Sequence, residues 1–274
     1  MKKINYRLIV SDFDGTLIDD NQHISDKVRK AIYEYVSLGG VFAVCTGRML
    51  KSILPQVREL GLKGLVIANQ GTVIADIESG ELIKYSGIKY SDAIEICRVL
   101  EDLGQPINVY SGDNLYTDIP KDNKYLQIYE RITGVDGISV KGKISDFVEE
   151  KQLFCQKVAC LVAESERDKL YMQLKEKLGG KFDVTCSARV LVEISALGET
   201  KGEAVKYLCN RLNIPVEKCV ACGDNLNDLS MIRVAGVGVA VGNADIAVKA
   251  EADFVSTSNN EDAIAQIIEK YGFA

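Results

Sequence analysis

The chain has 274 residues, 47% of them hydrophobic and 26% charged, which is typical of a globular protein with one large or two smaller domains. Its 33 basic and 39 acidic residues leave a net charge of −6, which argues against a broad basic surface for nucleic acid. A single histidine, His23, argues against a Ser-His-Asp triad or a histidine-rich zinc site. Apolar runs stay well short of the roughly 18 residues of a membrane span, so we expect no membrane partner.

The eight cysteines are scattered through apolar runs and predict buried thiols, not a disulfide framework. Cys219 and Cys222 have the spacing of a redox or zinc motif. Because no second pair and no histidine stands near them, we interpret 218–222 as a buried strand. The apolar run at the start of the chain is too short for a signal peptide, and we expect a cytoplasmic protein.

The first 85 residues alternate strand and helix. Strands are predicted at 7–11, 41–45 and 64–68, with helices at 25–36 and 49–60 between them. This order is typical of a parallel sheet with helical crossovers, and a hairpin at 72–76 and 81–85 follows it.

The pattern changes from about residue 86 to residue 190. Short paired strands alternate there with helices, which predicts an inserted α+β unit with an antiparallel sheet. From Lys201 the α/β alternation resumes and continues to the last helix at 262–271. We therefore predict an α/β core of residues 1–85 and 191–274 and an inserted domain of residues 86–190, with hinges near Tyr85 and Ser195.

Polar motifs follow the first two core strands. Asp12 and Asp14 stand two apart at the carboxyl end of strand 7–11, where open parallel sheets bind ligands, and two acids so close favour a cation. Gly15 then permits a sharp turn, although a simple pair of turn acids explains the pattern equally well. Thr46, Gly47 and Arg48 follow strand 41–45 at a helix start, where a hydroxyl and free amides suit a phosphate or serve as a helix cap.

Two further motifs lie after the insertion. Lys201 stands at a helix start, where it opposes the helix dipole, so it either neutralises nearby charge or is a solvated surface lysine. Asp224 and Asp228 follow strand 219–222, and their oxygens are the ligands that Mg²⁺ prefers. The acidic spacing of an EF-hand calcium loop is missing.

Together and in this order, the four motifs resemble those of the haloacid dehalogenase superfamily. They read Asp12-Phe13-Asp14-Gly15-Thr16, Thr46-Gly47-Arg48, Lys201-Gly202 and Gly223-Asp224-Asn225-Leu226-Asn227-Asp228. The chain is most similar to the Cof-like phosphatases, with a large α+β cap of type IIB, and 241–244 and 252–255 resemble their C-terminal signatures. One departure is Asn69-Gln70-Gly71, where many relatives have an Asn-Gly-Ala step. The resemblance implies a Rossmann-like, doubly wound parallel core in which an inserted cap reads the substrate.

The resemblance also implies a mechanism. Asp12 would attack phosphorus and form an aspartyl-phosphate, and Asp14 would act as general acid and then general base. Mg²⁺ would be held by Asp12, the backbone carbonyl of Asp14 and Asp224. The phosphoryl oxygens would be bound by Thr46, Gly47, Lys201 and Asn227. Asp228 would orient the metal or Lys201, and Arg48 would reach substrate or form a salt bridge.

These residues predict a phosphatase acting on a small phosphorylated metabolite, for example a sugar phosphate, a nucleotide, flavin mononucleotide or pyridoxal phosphate. A phosphomutase is the alternative enzyme, because some capped relatives return the phosphoryl group to a sugar. A phospho-aspartate signalling module is a third interpretation, but such receivers have only about 120 residues and give Asp14 no role. A binding protein with an inactive site is opposed by the intact acids. We expect a monomer or weak homo-oligomer.

Overall fold

A computed structural model of the protein describes residues 2–274. The first core segment contains five strands, which are β1 (Leu8–Ser11), β2 (Val41–Cys45), β3 (Leu65–Ala68), β4 (Val73–Asp76) and β5 (Leu82–Tyr85). Its two helices are α1 (Asp26–Ser37) and α2 (Leu50–Glu59). Ser25 caps α1, since its hydroxyl accepts a hydrogen bond from the Val28 amide at 3.2 Å.

The insertion has its own strands and helices. Its strands are β6 (Asn108–Ser111), β7 (Asn114–Thr117), β8 (Gly137–Ser139), β9 (Lys157–Leu161), β10 (Phe182–Ala188) and β11 (Leu191–Ala196). Its helices are α3 (Tyr90–Asp102), α4 (Lys124–Thr133), α5 (Ile144–Lys151) and α6 (Glu164–Leu178). The sequence patterns missed β8 and α5 because a three-residue strand and an eight-residue helix carry too few apolar repeats to reveal a period.

The last segment returns to the core. Its strands are β12 (Cys219–Gly223), β13 (Val237–Ala240) and β14 (Phe254–Val255). Its helices are α7 (Lys201–Arg211), α8 (Leu229–Val234), α9 (Ile246–Glu251) and α10 (Ala263–Ile267). Within residues 2–274, no helix combines the length and apolar character that crossing a membrane requires.

The core sheet has eight strands in the order β14-β13-β12-β1-β2-β3-β4-β5. The first six run parallel, and β4 and β5 add an antiparallel hairpin at one edge. Strand β1 lies in the middle, with Val10 opposite Ala43 of β2 and Ala221 of β12. Because helices cover both faces, β1 is fully buried, and the predicted doubly wound α/β core is confirmed.

The inserted sheet has six strands in the order β10-β11-β9-β6-β7-β8, antiparallel except for the β7–β8 pair. Strand β11 pairs with β10 on one side and β9 on the other, so it lies in the inserted sheet. The predicted boundary at residue 190 is therefore six residues too early, and Ser195 lies inside a strand and not in a hinge. The return to the core runs through 197–200 instead.

Each sheet has a separate hydrophobic core. The largest core-domain cluster draws its buried residues from 9–77 and 220–268, and the largest cluster of the insertion draws them from 88–194. A smaller cluster joins Met49 of the core to Tyr110, Leu126 and Leu161 of the insertion. This last cluster packs the inserted domain over the carboxyl ends of the parallel strands.

Candidate active site

The first acidic motif forms a tight turn directly after β1. Asp12 is 6% exposed at the end of the strand. Gly15 has a φ of +72°, a backbone angle that residues with a side chain rarely adopt. A Cβ atom on Gly15 would also lie 2.8 Å from Oδ2 of Asp224. The glycine therefore allows the loops after β1 and β12 to approach each other closely.

Lys201 lies between two carboxylates beneath this turn. Its Nζ donates to Oδ1 of Asp12 at 2.5 Å and to Oδ1 of Asp228 at 2.6 Å. The Lys201 side chain is fully buried, so the interpretation as a solvated surface lysine is wrong. Burial by itself would lower the pKa of Lys201, but Asp12 and Asp228 outweigh it and raise the pKa, which keeps the ammonium charged.

Two carboxyl groups of the site also have raised pKa values, which for an acid disfavours the charged form. Burial raises the pKa of Asp12 well above its usual value, against the attraction of Lys201 and with the repulsion of Asp228 and Asp224. Burial, and then the charge of Asp228, raises the pKa of Asp224 to about 7. Oδ1 of Asp224 accepts a hydrogen bond from the Thr16 hydroxyl at 2.9 Å, which orients this carboxyl group. The site thus concentrates negative charge in a buried place, which a cation would relieve.

The acidic residues fit a hard divalent cation. One oxygen from each of Asp12, Asp224 and Asp228 lies within 4.8 Å of the others. Asp228 is already occupied, because Oδ1 accepts from Lys201 and Oδ2 accepts from the amides of Asp224 and Asn225, both at 2.9 Å. Asp12 and Asp224 are therefore the side chains with oxygens to offer, and an all-oxygen donor set suits Mg²⁺.

Arg48 forms an ion pair with the second acid of the first motif. Its Nε donates to Oδ2 of Asp14 at 2.7 Å and its Nη2 to Oδ1 at 2.5 Å. Arg48 is 5% exposed, whereas the Asp14 side chain is 42% exposed. Of the two alternatives left open by the sequence, the structure has the salt bridge, and it orients the Asp14 carboxylate at the edge of the site.

Thr46 and Gly47 form the loop between β2 and α2. The Thr46 hydroxyl accepts a hydrogen bond from the Arg48 amide at 3.1 Å, within the loop. The N-cap of α2 is Met49, so the interpretation of Thr46 as a helix cap is wrong. Gly47 lies under the side chain of Gln70, and a Cβ atom there would come within 2.5 Å of Nε2 of Gln70. The close approach explains why this position is a glycine.

A buried polar bridge joins the cap to this loop. Gln70 has a φ of +60° and is 3% exposed, and its Nε2 donates to Oε2 of Glu193 on β11 at 2.5 Å. Its Oε1 accepts from Nδ2 of Asn227 at 3.0 Å. Lys157 on β9 forms an ion pair with Glu193 and donates to the carbonyl oxygen of Gly47 at 2.7 Å. The sequence motifs did not point to Lys157 or Glu193. The one sign of this bridge in the sequence was Gln70, which departs from the Asn-Gly-Ala step of many relatives.

A cavity of about 400 Å³ lies between the two domains. Its core wall contains Asp12, Asp14, Thr46, Gly47, Arg48 and Asn227. Its cap wall is mostly apolar, with Tyr125, Ile128, Tyr129, Ile132, Leu161, Ala188, Val190 and Leu191, and it also contains Thr133, Lys157 and Ser187. These motif residues therefore face a partly open cavity with room for a small molecule.

The similarity to known proteins covers nearly the whole chain. The family model for haloacid dehalogenase-like hydrolases matches residues 9–268. This chain belongs to the haloacid dehalogenase-like hydrolase family. The chain is 31% identical over 284 residues to the phosphatase YwpJ of Bacillus subtilis, covering 96% of this chain and 99% of that one.

Two further relatives support the assignment. The 5-amino-6-(5-phospho-D-ribitylamino)uracil phosphatase YcsE of Bacillus subtilis is 29% identical over 268 residues, covering 98% of this chain and 96% of that one. The crystal structure of a haloacid dehalogenase-like hydrolase from Bacteroides thetaiotaomicron is 27% identical, covers 97% of this chain and 99% of its own, and superposes with a TM-score of 0.80. The Cof-like assignment made from the motifs is confirmed, and the chain is a phosphatase of this hydrolase family.

The motif residues of this haloacid dehalogenase-like hydrolase meet at one edge of the core sheet. Of those named from the sequence, Asp12, Asp14, Thr46, Gly47, Arg48 and Asn227 line the cavity. Lys201 and Asp228 are fully buried and reach the site through the contact of Lys201 with Asp12, and an oxygen of Asp224 lies within 4.8 Å of oxygens of Asp12 and Asp228. The Cys219 and Cys222 thiols lie on buried β12, and all eight cysteines are free and buried. Burial raises the pKa of the Cys222 thiol, which keeps it protonated and unreactive.

Proposed function

We propose that the protein hydrolyses the phosphate monoester of a small metabolite in the presence of Mg²⁺, through an aspartyl-phosphate on Asp12. The observation that carries this proposal is the position of Asp12. Its carboxylate is held by Lys201 at 2.5 Å on the floor of the cavity, and Asp14 stands at the edge of the same cavity. A nucleophile and an acid-base group thus face one enclosed space, as covalent phosphoryl transfer requires.

The residues of the chain divide the chemistry between them. Asp12 attacks phosphorus while Lys201 neutralises the phosphoryl oxygens. We assign Thr46, the Gly47 amide and the second N–H of the Asn227 amide to binding those oxygens, because all three residues line the cavity. Asp12, the Asp14 carbonyl and Asp224 would hold Mg²⁺, which would supply charge neutralisation at the transferring group.

Asp14 supplies the proton for the departing oxygen and then removes one from the water that hydrolyses the aspartyl-phosphate. Arg48 positions it, because the two-point contact fixes the plane of the Asp14 carboxylate. Arg48 is itself anchored, since its Nη1 donates to the Ile132 carbonyl oxygen of the cap at 3.3 Å. The acid-base group is therefore in position when the cap covers the site.

The coarser elements of this proposal have independent support. YwpJ is named a phosphatase, and YcsE is named for a phosphorylated ribitylamino-uracil. We infer a substrate of similar size because the cavity measures about 400 Å³. Eight free thiols favour a reducing compartment such as the cytosol.

The decisive test replaces the nucleophile. The Asp12→Asn variant should lose at least about a thousandfold in turnover of para-nitrophenyl phosphate, because an amide cannot act as the anionic nucleophile. Asp113→Asn, which changes an exposed acid of the cap outside the cavity, is the matched control and should retain wild-type turnover. Chelation should abolish wild-type activity and added Mg²⁺ should restore it. Near-wild-type turnover by Asp12→Asn would refute the mechanism.

A further inference from the structure

Helix α4 presents an apolar stripe to the active-site cavity. Tyr125, Ile128, Tyr129 and Ile132 recur at the spacing of one helix face, and all four line the cavity. Ile128 and Ile132 are 48% and 45% exposed, although large isoleucine side chains are normally buried. The stripe therefore leaves apolar surface open directly above the phosphoryl-binding residues.

The facing wall of the cap is apolar as well. It comes from the end of β9 and the turn between β10 and β11, with Leu161, Ala188, Val190 and Leu191. The two apolar walls and the core floor with Asp12 enclose one continuous space. A group attached to a phosphoryl on Asp12 must extend between these walls.

The polar side chains near the floor are already engaged with protein groups. Lys157 contacts the Gly47 carbonyl oxygen and Glu193, and Arg48 contacts Asp14 and Oε1 of Gln22. The Thr133 hydroxyl donates to the Tyr129 carbonyl oxygen at 2.8 Å. The cap walls then offer mainly hydroxyls, those of Tyr125, Tyr129 and Ser187, to a bound molecule.

We propose that the phosphorylated alcohol which this site hydrolyses carries a planar, largely apolar ring, and not a polyol chain or a free sugar. The inference rests on the phosphatase function proposed above. A ring can pack its faces against isoleucine and tyrosine side chains, and an edge nitrogen or hydroxyl can reach a wall hydroxyl. A sugar would exchange hydrated hydroxyls for contacts with apolar side chains, which is unfavourable because those hydroxyls would find few partners.

The test compares substrates whose ester bonds are alike. Pyridoxine 5′-phosphate and benzyl phosphate have a ring on a phosphorylated methylene group, and ribose 5-phosphate and glucose 6-phosphate have a polyol on the same group. Release of inorganic phosphate by the Mg²⁺-loaded full-length enzyme gives kcat/KM for each. We expect the ring substrates to exceed the polyols by about tenfold or more, the scale at which apolar pockets discriminate.

Two variants and one matched control locate the preference. Ile128→Asn and Ile132→Asn should each raise KM for pyridoxine 5′-phosphate by about tenfold and change KM for ribose 5-phosphate much less. Ile138→Asn changes an isoleucine of the same cap that is also 45% exposed but lies on β8 outside the cavity lining, and it should leave both KM values unchanged. Because the changed side chains are half exposed, all three variants should fold.

The outcomes separate the inference from the function on which it rests. A ring preference that is lost in Ile128→Asn and Ile132→Asn but kept in Ile138→Asn supports the inference. Equal or better hydrolysis of the polyol phosphates, or unchanged KM values in the two cavity variants, overturns the inference and leaves the phosphatase function standing. Failure to release phosphate from any of the four substrates overturns the proposed function and the inference with it.

Discussion

Asp14 is held by a guanidinium before any substrate arrives. Its carboxylate makes two short contacts with Arg48 and remains 42% exposed towards the cavity. To protonate a departing oxygen, the Asp14 carboxyl group must first take up a proton and exchange one of these contacts for a contact with the substrate. The proposed acid role therefore depends on how much help the leaving group needs.

Asp14→Ala should slow the hydrolysis of alkyl phosphates far more than that of para-nitrophenyl phosphate, because only a basic leaving oxygen needs a proton. We expect a loss of about a hundredfold or more for the alkyl ester, the usual contribution of a general acid. A plot of log kcat/KM against leaving-group pKa should become steeper in the variant. The same slope in both enzymes would assign Asp14 to a positioning role.

The raised pKa of Asp224 predicts how Mg²⁺ binding depends on pH. Burial, followed by the charge of Asp228, raises its pKa from 3.8 to about 7. Between about pH 4 and pH 7, Asp224 is therefore protonated in the metal-free folded protein and ionised in the unfolded chain. The contribution of this group to stability therefore falls as pH rises from about 4 to 7. The cation competes with that proton and binds better once it has left.

The increase in Tm that Mg²⁺ produces should accordingly grow between pH 5.5 and pH 8. Differential scanning fluorimetry with and without Mg²⁺ measures it directly. In Asp224→Asn, which cannot ionise, the increase should be small at every pH. A wild-type shift that does not change with pH would contradict the assignment of Asp224 as a ligand.

At the scale of elements, strands β9 and β11 carry a buried ion pair across to the core. Lys157 and Glu193 are each 1% exposed, and both reach core partners, Gly47 and Gln70 respectively. Removing one member would leave an uncompensated charge inside the protein, which is far more costly than replacing both. The bridge therefore couples the fold of the cap to Gly47 and Gln70 of the core.

Lys157→Met should lower the free energy of unfolding by about 3–5 kcal/mol, because it leaves the Glu193 carboxylate buried and unpaired. The double variant Lys157→Met/Glu193→Leu should recover most of this loss. Urea denaturation of the wild type, of Lys157→Met, of Glu193→Leu and of the double variant completes the double-mutant cycle. Additive losses would show that the two side chains do not stabilise each other.

At the scale of the molecule, two domains with separate cores enclose one cavity. The linkers lie at 86–89 and 197–200, and Asp12, Asp14, Thr46, Lys201 and Asp224 all lie outside the segment between them. The cap adds the apolar walls and excludes water from the site. The chemistry and the recognition of the leaving group are thus assigned to different domains.

Replacing residues 88–196 by a short glycine-serine linker should separate these roles. The remaining core should keep slow turnover of para-nitrophenyl phosphate but lose preference among metabolite phosphates, with KM rising by about tenfold or more for the best of them. Circular dichroism and gel filtration establish that the truncated protein is folded. A folded core that still discriminates among metabolites would place specificity in the core.

The sequence by itself determined the α/β core and the edge at which the site lies. Apolar runs as uniform as β1 and β12, alternating with helices, are typical of buried parallel strands, and parallel strands bring the polar residues that follow them to one edge. That is why Asp12 and Asp224 could be placed together although 212 positions separate their numbers. The position of each acid directly after its strand was enough to predict this.

Only the tertiary structure decided what those residues touch. Three features depend on partners that are distant in the chain. They are the ion pair of Arg48 with Asp14, the place of β11 in the cap sheet and the bridge from Gln70 to Glu193. The stripe on α4 shows the same limit, because its period predicts a helix face but not what that face covers. Local periodicity reports the conformation of a segment, whereas the partner of a side chain is set by how whole elements pack.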